Sequence, residues 1–211
     1  MRVGILISGF GSNMTKLLES CEKKSSSASI GLVFSNNPSA DGLKYAHSKG
    51  IKTVSIDHKD FKERKLFDEK VNKTLLNNNI DFICNAGFMR IHSEDFVNNW
   101  FNRHLNIHPS LLPSFKGLDT HKRALDAGVK FAGCTVHLVR AGVDEGPIIS
   151  QAATSIRSID NAESLGRKIL KLEHKLYPIC LQLFAEKLIT VSNDKVSYKA
   201  EAIKKLEEFK V

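Results

Sequence analysis

Apolar runs rich in valine and isoleucine alternate with segments of helical periodicity through the first half of this chain, and that alternation leaves few folds open. Residues 2–8, 30–35, 51–56 and 80–86 read as strands, and 14–21, 41–48 and 61–76 between them read as helices. Strands joined through helices pair in parallel, so the pattern predicts βα units on one sheet. A fifth strand at 105–107, a helix at 120–127 and a strand pair at 133–139 and 148–153 continue it. From Asp160 to Leu176, the residues Ala162, Leu165, Ile169, Leu172 and Leu176 form the apolar stripe of a helix that Pro178 is expected to bend or end. A hairpin at 191–198, turning at Asn193-Asp194, and a basic helix at 200–209 close the chain. The expected fold is α/β, a single-domain Rossmann-like open, mostly parallel twisted sheet with helices on both faces. Residues 1–211 are expected to form that one domain, in two halves that meet near residue 100, the second running to about 190, with the hairpin and helix of 191–211 closing it.

Composition excludes several classes. The apolar runs, such as Val3 to Ile7, fall far short of the ~20 residues of a spanning helix, so no membrane association is expected. The first of them is also too short for a secretory core, and Cys21, Cys84, Cys134 and Cys180 show neither a paired motif nor zinc-ligand spacing, so a cytoplasmic protein with reduced thiols is expected. A net charge of +8 fits a nucleic-acid face, an anionic small molecule or a lysine-rich surface. The lysines are scattered and no basic run is interleaved with aromatics, which favours a solvated surface over nucleic acid.

Chemistry concentrates in Asn106-Ile107-His108-Pro109. On a short strand a period of two turns Asn106 and His108 to one face, and Pro109 and Pro113 stiffen the segment that follows. An amide that donates a hydrogen bond beside an imidazole that donates a proton suits an oxygen gaining negative charge, as in acyl transfer. Gly9-Phe10-Gly11-Ser12-Asn13 links the first strand to the first helix, where exposed amides favour an anion. The third glycine of a dinucleotide fingerprint and the lysine of a Walker loop are absent, so the loop fits a single phosphate or a plain turn capped by Ser12 or Asn13. Ala141 to Pro147 holds Asp144 and Glu145; most such loops are merely solvated, but a carboxylate beside an imidazole stabilises its charged form. His104 and His108 lie four apart, yet Pro109 argues against a helix and no third ligand is visible, so no metal is expected. His137 suits the cleft or the core equally, and Glu173, Arg64 and Arg90 read as surface residues on their own.

Taken together, Ile7-Ser8-Gly9-x-Gly11-Ser12-Asn13, Val33 to Asn36, Ala86 to Ile91, Asn106 to Pro113, Gly133 to His137, Asp144-x-Gly146-Pro147 and Glu173-His174-x-x-Tyr177-Pro178 resemble the folate-dependent phosphoribosylglycinamide formyltransferases, in family order over residues 5 to about 185. The resemblance implies formyl transfer from 10-formyltetrahydrofolate to the amine of N1-(5-phospho-D-ribosyl)glycinamide in purine synthesis, without a metal, by a monomer or homodimer acting on small molecules. It implies that Gly11, Ser12, Asn13 and Glu173 hold the ribonucleotide. Arg64, Met89, Arg90, Ile91, His92, Asn106, Arg140 and Val143 would line the folate site, with His108 as proton donor kept charged by Asp144. The chain departs from the family at Asp119, where a histidine is usual, and at His92, where an apolar residue is usual and where only backbone contact is implied. The alternatives are another enzyme of the same fold, a formyltetrahydrofolate hydrolase or a methionyl-tRNA formyltransferase, both with an additional domain, or a non-catalytic folate- or nucleotide-binding module.

Overall fold

A computed structural model describes residues 1–209. The chain forms two compact units: residues 1–106 with Val139–Ala141, and Ile107–Leu138 with Gly142 onward. The half expected to end near residue 100 compares with this passage between Asn106 and Ile107 and with the short return at 139–141. Of the closing segment expected at 191–211, residues 210 and 211 lie outside the described residues.

In the first unit β1 (Arg2–Ile7), β2 (Ser29–Ser35), β3 (Thr53–Ser55), β4 (Phe82–Asn85) and β5 (His104–His108, which runs into the second unit) lie in the order β3-β2-β1-β4-β5. Every pair is parallel. The α/β class and the parallel order expected from the sequence are those observed. Five of six residues of β1 are buried, as expected of a central parallel strand covered on both faces. The connections are α1 (Ser12–Cys21), α2 (Asp41–Ser48), α3 (Arg64–Asn77) and α4 (Glu94–Asn99), the last unforeseen because six residues carry too little periodicity. The core joins Leu6, Leu32 and Phe34 of the strands to Phe67, Val71 and Leu75 of α3 and to Phe96 of α4 with Trp100. From β1 the chain moves outward to β2, and from β4 it moves the other way to β5. Their adjacent carboxyl ends are therefore a topological switch point, where such sheets bind ligands.

In the second unit β6 (Phe131–Leu138) and β7 (Ile148–Ser155) are antiparallel, α6 (Ala162–Ala185) packs on both, and α5 (Thr120–Asp126) packs against α6. A reciprocal capping box between Asn161 and Ser164 starts α6. Pro178 does not end this helix, contrary to the sequence expectation; it continues to Ala185. An interior proline costs about 3 kcal/mol. Leu176, Tyr177, Cys180, Leu181 and Leu183 are all fully buried, each large apolar side chain contributing about 1.5–3 kcal/mol, so tertiary packing overrides the local penalty. The hairpin β8 (Ile189–Ser192) and β9 (Lys195–Tyr198) turns at Asn193 and Asp194 with φ of 49° and 57°, the left-handed pair of a type I′ turn, and α7 (Ala200–Glu207) follows. Among the described residues no helix is long and apolar enough to cross a membrane.

Gly133 of β6 is where this unit tolerates least. A Cβ there would stand 1.9 Å from the Ala152 carbonyl oxygen and 2.8 Å from Leu111. Gly133→Ala is expected to lower stability by about 1–3 kcal/mol or more, measured by urea unfolding, because backbone must shift to admit the methyl group. An unchanged midpoint would contradict the close approach.

Candidate active site

At the switch point of the first unit, Gly11 adopts φ 67° and a Cβ there would meet Ile7 at 2.9 Å, so a glycine is required between strand and helix. α1 begins at Ser12 with Gly11 as an N-cap that has no side chain to offer its first-turn amides. Gly42 opens α2 against the same loop: its amide donates to the Gly9 carbonyl at 3.3 Å, and a Cβ would lie 2.5 Å from the Phe10 carbonyl. Asn13 is buried, while Phe10 is exposed. The loop after β4 is tied to the end of β1, for Ser8 donates its amide to the Gly87 carbonyl at 3.1 Å and its hydroxyl accepts from the Met89 amide at 2.7 Å. The structure therefore brings the Gly9–Asn13 and Gly87–His92 loops together.

Of the other residues assigned to folate, Arg64 is exposed at the start of α3, and Met89, Arg90, Ile91 and Val143 are exposed. Arg140 is half-buried: its guanidinium lies 4.0 Å from the Phe101 ring centroid and donates to Asn102 Oδ1 at 2.7 Å. His92 departs from the expectation that only its backbone matters. Its ring is 6% exposed, pairs with buried Asp68 at 3.1 Å and is stacked between Phe88 and Phe96. Asn106, half-buried on β5, is in register with Asn85.

In the second unit the chain brings His108 and Asp144 together across 36 residues of sequence. His108 ends β5, and its Nδ1 is 3.3 Å from Asp144 Oδ2. Its Nε2 is 3.1 Å from the Phe115 carbonyl oxygen. Both neighbours are acceptors, so the ring fills both contacts only when each nitrogen donates. Asp144, in the left-handed region at φ 50°, also accepts the Gly117 amide at 2.7 Å, and its Oδ1 lies 4.0 Å from His137 Nε2. His137 is thus buried and also faces the carboxylate, joining the two readings the sequence left open. Burial pulls the pKa of His137 down from its usual 6.5, and burial followed by the charge of His108 does the same to His121.

The segment after His108 is bracketed by residues that sequence reasoning did not assign. The Thr135 hydroxyl donates to the Ser110 carbonyl at 2.7 Å and accepts from the Leu112 amide at 3.0 Å. Gln151 Nε2 donates to Thr135 and to the Leu112 carbonyl, each at 2.9 Å. Their signal was weak, since a threonine on a strand reads as ordinary β-propensity. Glu173 overturns its surface reading: it is 6% exposed on the packed face of α6. Burial, and then the Glu173 charge, push the Cys134 thiol up to about 12. Asp119 is exposed, with φ 56°, at the N-cap position of α5. Among the described residues no group of three or more His, Cys, Asp or Glu side chains is placed to hold a metal ion.

Residues 1–181 match the family described as Formyl transferase, and the chain belongs to that family. It is 46% identical over 191 residues to the Trifunctional purine biosynthetic protein adenosine-3 of Gallus gallus, covering 90% of this chain and 19% of that protein. The chain thus spans about a fifth of the length of the trifunctional relatives it matches. It is 36% identical over 186 residues to the Phosphoribosylglycinamide formyltransferase of Escherichia coli K12, covering 88% of each. Among solved structures, the glycinamide ribonucleotide transformylase 1 of Symbiobacterium toebii matches with a TM-score of 0.91 at 41% identity, covering 94% of this chain and 93% of that one.

Two predictions follow from this geometry. Thr135→Val leaves a backbone amide and a side-chain amide without their partner, and is expected to lower stability by about 1–3 kcal/mol, against a smaller loss for Thr135→Ser in the same urea titration. Lowered folded-state pKa values mean that, below the unfolded value of 6.5, the unfolded chain binds protons at His137 and His121 that the folded chain refuses. Stability should therefore fall as pH drops through that range, and His137→Gln should flatten the slope; an equal slope in the variant would exclude His137 as a source.

Proposed function

We propose that this chain transfers the formyl group of 10-formyltetrahydrofolate to the amine of N1-(5-phospho-D-ribosyl)glycinamide, as a step of purine synthesis in the cytoplasm. The observation that carries this reading is the buried His108–Asp144 pair with acceptors at both ring nitrogens. Family membership and the names of the full-length relatives support the same acceptor.

The chemistry follows from the charges. The glycinamide amine attacks the formyl carbon, and the formyl oxygen becomes an oxyanion. Asn106 donates a hydrogen bond to it, and His108 supplies a proton as the Nε2–H leaves the Phe115 carbonyl for the substrate oxygen. Asp144 keeps the opposite N–H oriented and balances the charge. As the intermediate collapses, the C=O re-forms and returns its proton to His108, and tetrahydrofolate is expelled, its nitrogen taking the proton lost by the amine. The amides of Gly11, Ser12 and Asn13 bind the phosphate and Glu173 the remainder of the ribonucleotide, while Arg64, Met89 to His92, Arg140 and Val143 receive the folate. The acceptor is a small molecule rather than a nucleic acid, the protein works as a monomer or homodimer, and no metal is needed because the imidazolium and Asn106 stabilise the oxyanion.

Tetrahydrofolate release should require both the ribonucleotide and His108. His108→Ala and Asp144→Ala are each expected to lower kcat by roughly 100- to 1,000-fold, Asp144→Ala also melting lower because the Gly117 amide loses its acceptor. Release without the ribonucleotide would indicate a hydrolase, and normal turnover in either variant would remove the mechanism.

A further inference from the structure

We propose that Asp68 and His92 are positioning residues for the folate-lining backbone of Met89 to Ile91, an inference that rests on the proposed function. The segment Gly87 to Ser93 leaves β4 and enters α4 with its middle in solvent: Met89 is 69% and Ile91 53% exposed, and Arg90 is exposed. Such a stretch presents peptide groups to a ligand, and its side chains contribute few internal contacts that would fix them. The two ends do that instead. At one end the Met89 amide donates to Ser8 Oγ at 2.7 Å, and that hydroxyl donates in turn to Asn36 Oδ1 at 2.6 Å.

At the other end the carboxylate of Asp68, 2% exposed on α3, takes two donors. Oδ2 accepts the Ser93 amide at 2.5 Å, and Oδ1 faces His92 Nδ1 at 3.1 Å. The His92 ring lies parallel to Phe88 at 5.0 Å and to Phe96 at 4.2 Å between centroids, with the edge of His104 at 5.2 Å. Its Nε2 is buried without a hydrogen-bond partner. One polar contact and two stacks therefore define where the ring sits.

Stability alone gives no reason for this arrangement. Removing a carboxylate from water is costly, and well-packed apolar replacements of buried pairs are often as stable or more so. What the pair supplies is direction. Two donors from adjacent residues fix both the position and the orientation of the chain at 92–93, and the exposed tip three residues long is then spanned between Ser8 and Asp68. Peptide groups that bind a ligand need placement to within about 0.5 Å, which a loop pinned at only one end does not hold.

The test compares Asp68→Ala, Asp68→Asn and His92→Phe with the wild type, reading kcat, the KM of each substrate, thermal melting, and amide hydrogen exchange over residues 87–93. Asp68→Ala is expected to raise the folate KM roughly tenfold, the size of losing a charge-assisted hydrogen bond. Its kcat and ribonucleotide KM should stay within about twofold, and amide protection at 89–93 should fall. Asp68→Asn, which still offers an oxygen to the Ser93 amide, should recover most of the folate KM. His92→Phe keeps the stack and removes only the ring donor, so it decides the matter if Asp68→Ala does not fold: a raised folate KM with normal melting supports the role. A lower melting temperature with an unmoved folate KM, or a parallel change in both KM values and kcat, overturns it. Wild-type turnover separates the two levels. Its absence removes the proposed function and this inference with it, whereas turnover with an unmoved folate KM in the variants removes the positioning role alone.

Discussion

The carboxylate of Asp144 is the contact on which the geometry of the second unit turns. It accepts the Gly117 amide and faces the His108 ring, and so joins the loop after β6 to the segment that follows β5. A carboxylate that is 14% exposed would cost several kcal/mol if those donors were absent. The groups around this pair sit on residues in unusual conformations: Phe115, whose carbonyl faces His108 Nε2, Gly117, whose amide donates to the carboxylate, and Asp144 itself all have positive φ. Strain of this kind persists only where surrounding contacts over-determine it. Here those contacts are the Thr135–Gln151 bracket on one side and Arg123 on the other, whose guanidinium donates to the carbonyls of Lys116 and Leu118.

Much of this was legible in the chain because period carries it. Alternation of apolar runs and helical stripes specified the five parallel strands, and the two-residue spacing of Asn106 and His108 placed both on β5. The left-handed turn of the last hairpin was legible in Asn193-Asp194 for a chemical reason, since short polar side chains tolerate positive φ. What was not legible depends on partners distant in sequence. Pro178 reads as a stop because its local cost is visible and the fully buried residues around it are not. Glu173 reads as a surface residue and His92 as a backbone contact alone because nothing local announces a buried charge or a polar ring among phenylalanines. Asp68 gave no signal at all, because an acidic residue beside Glu69 in a lysine-rich helix looks solvated until its two donors are seen.

Glycine marks the first unit in a different way. At Gly11 positive φ and the nearness of Ile7 both exclude a side chain, while at Gly42 the backbone of Phe10 and Gly9 does so. These two positions close the loop against α2 and leave the amides at the start of α1 without a side-chain cap. Sequence alone left the loop open between a phosphate cradle and a capped turn.

The residues assigned to chemistry and the exposed loop positions assigned to folate differ in burial, and the difference has a physical basis. His108 is 6% and the Asp144 side chain 14% exposed, so their electrostatics act in a medium of lower polarity than water. Met89, Arg90, Ile91 and Val143 are open to solvent. Recognition through backbone leaves side-chain identity nearly free, which is why these positions could be named through resemblance but not through residue type. It also moves the constraint elsewhere: when the tip of a loop is free in sequence, the requirement falls on the groups that hold its ends, and in this chain those are Ser8, Asp68 and His92.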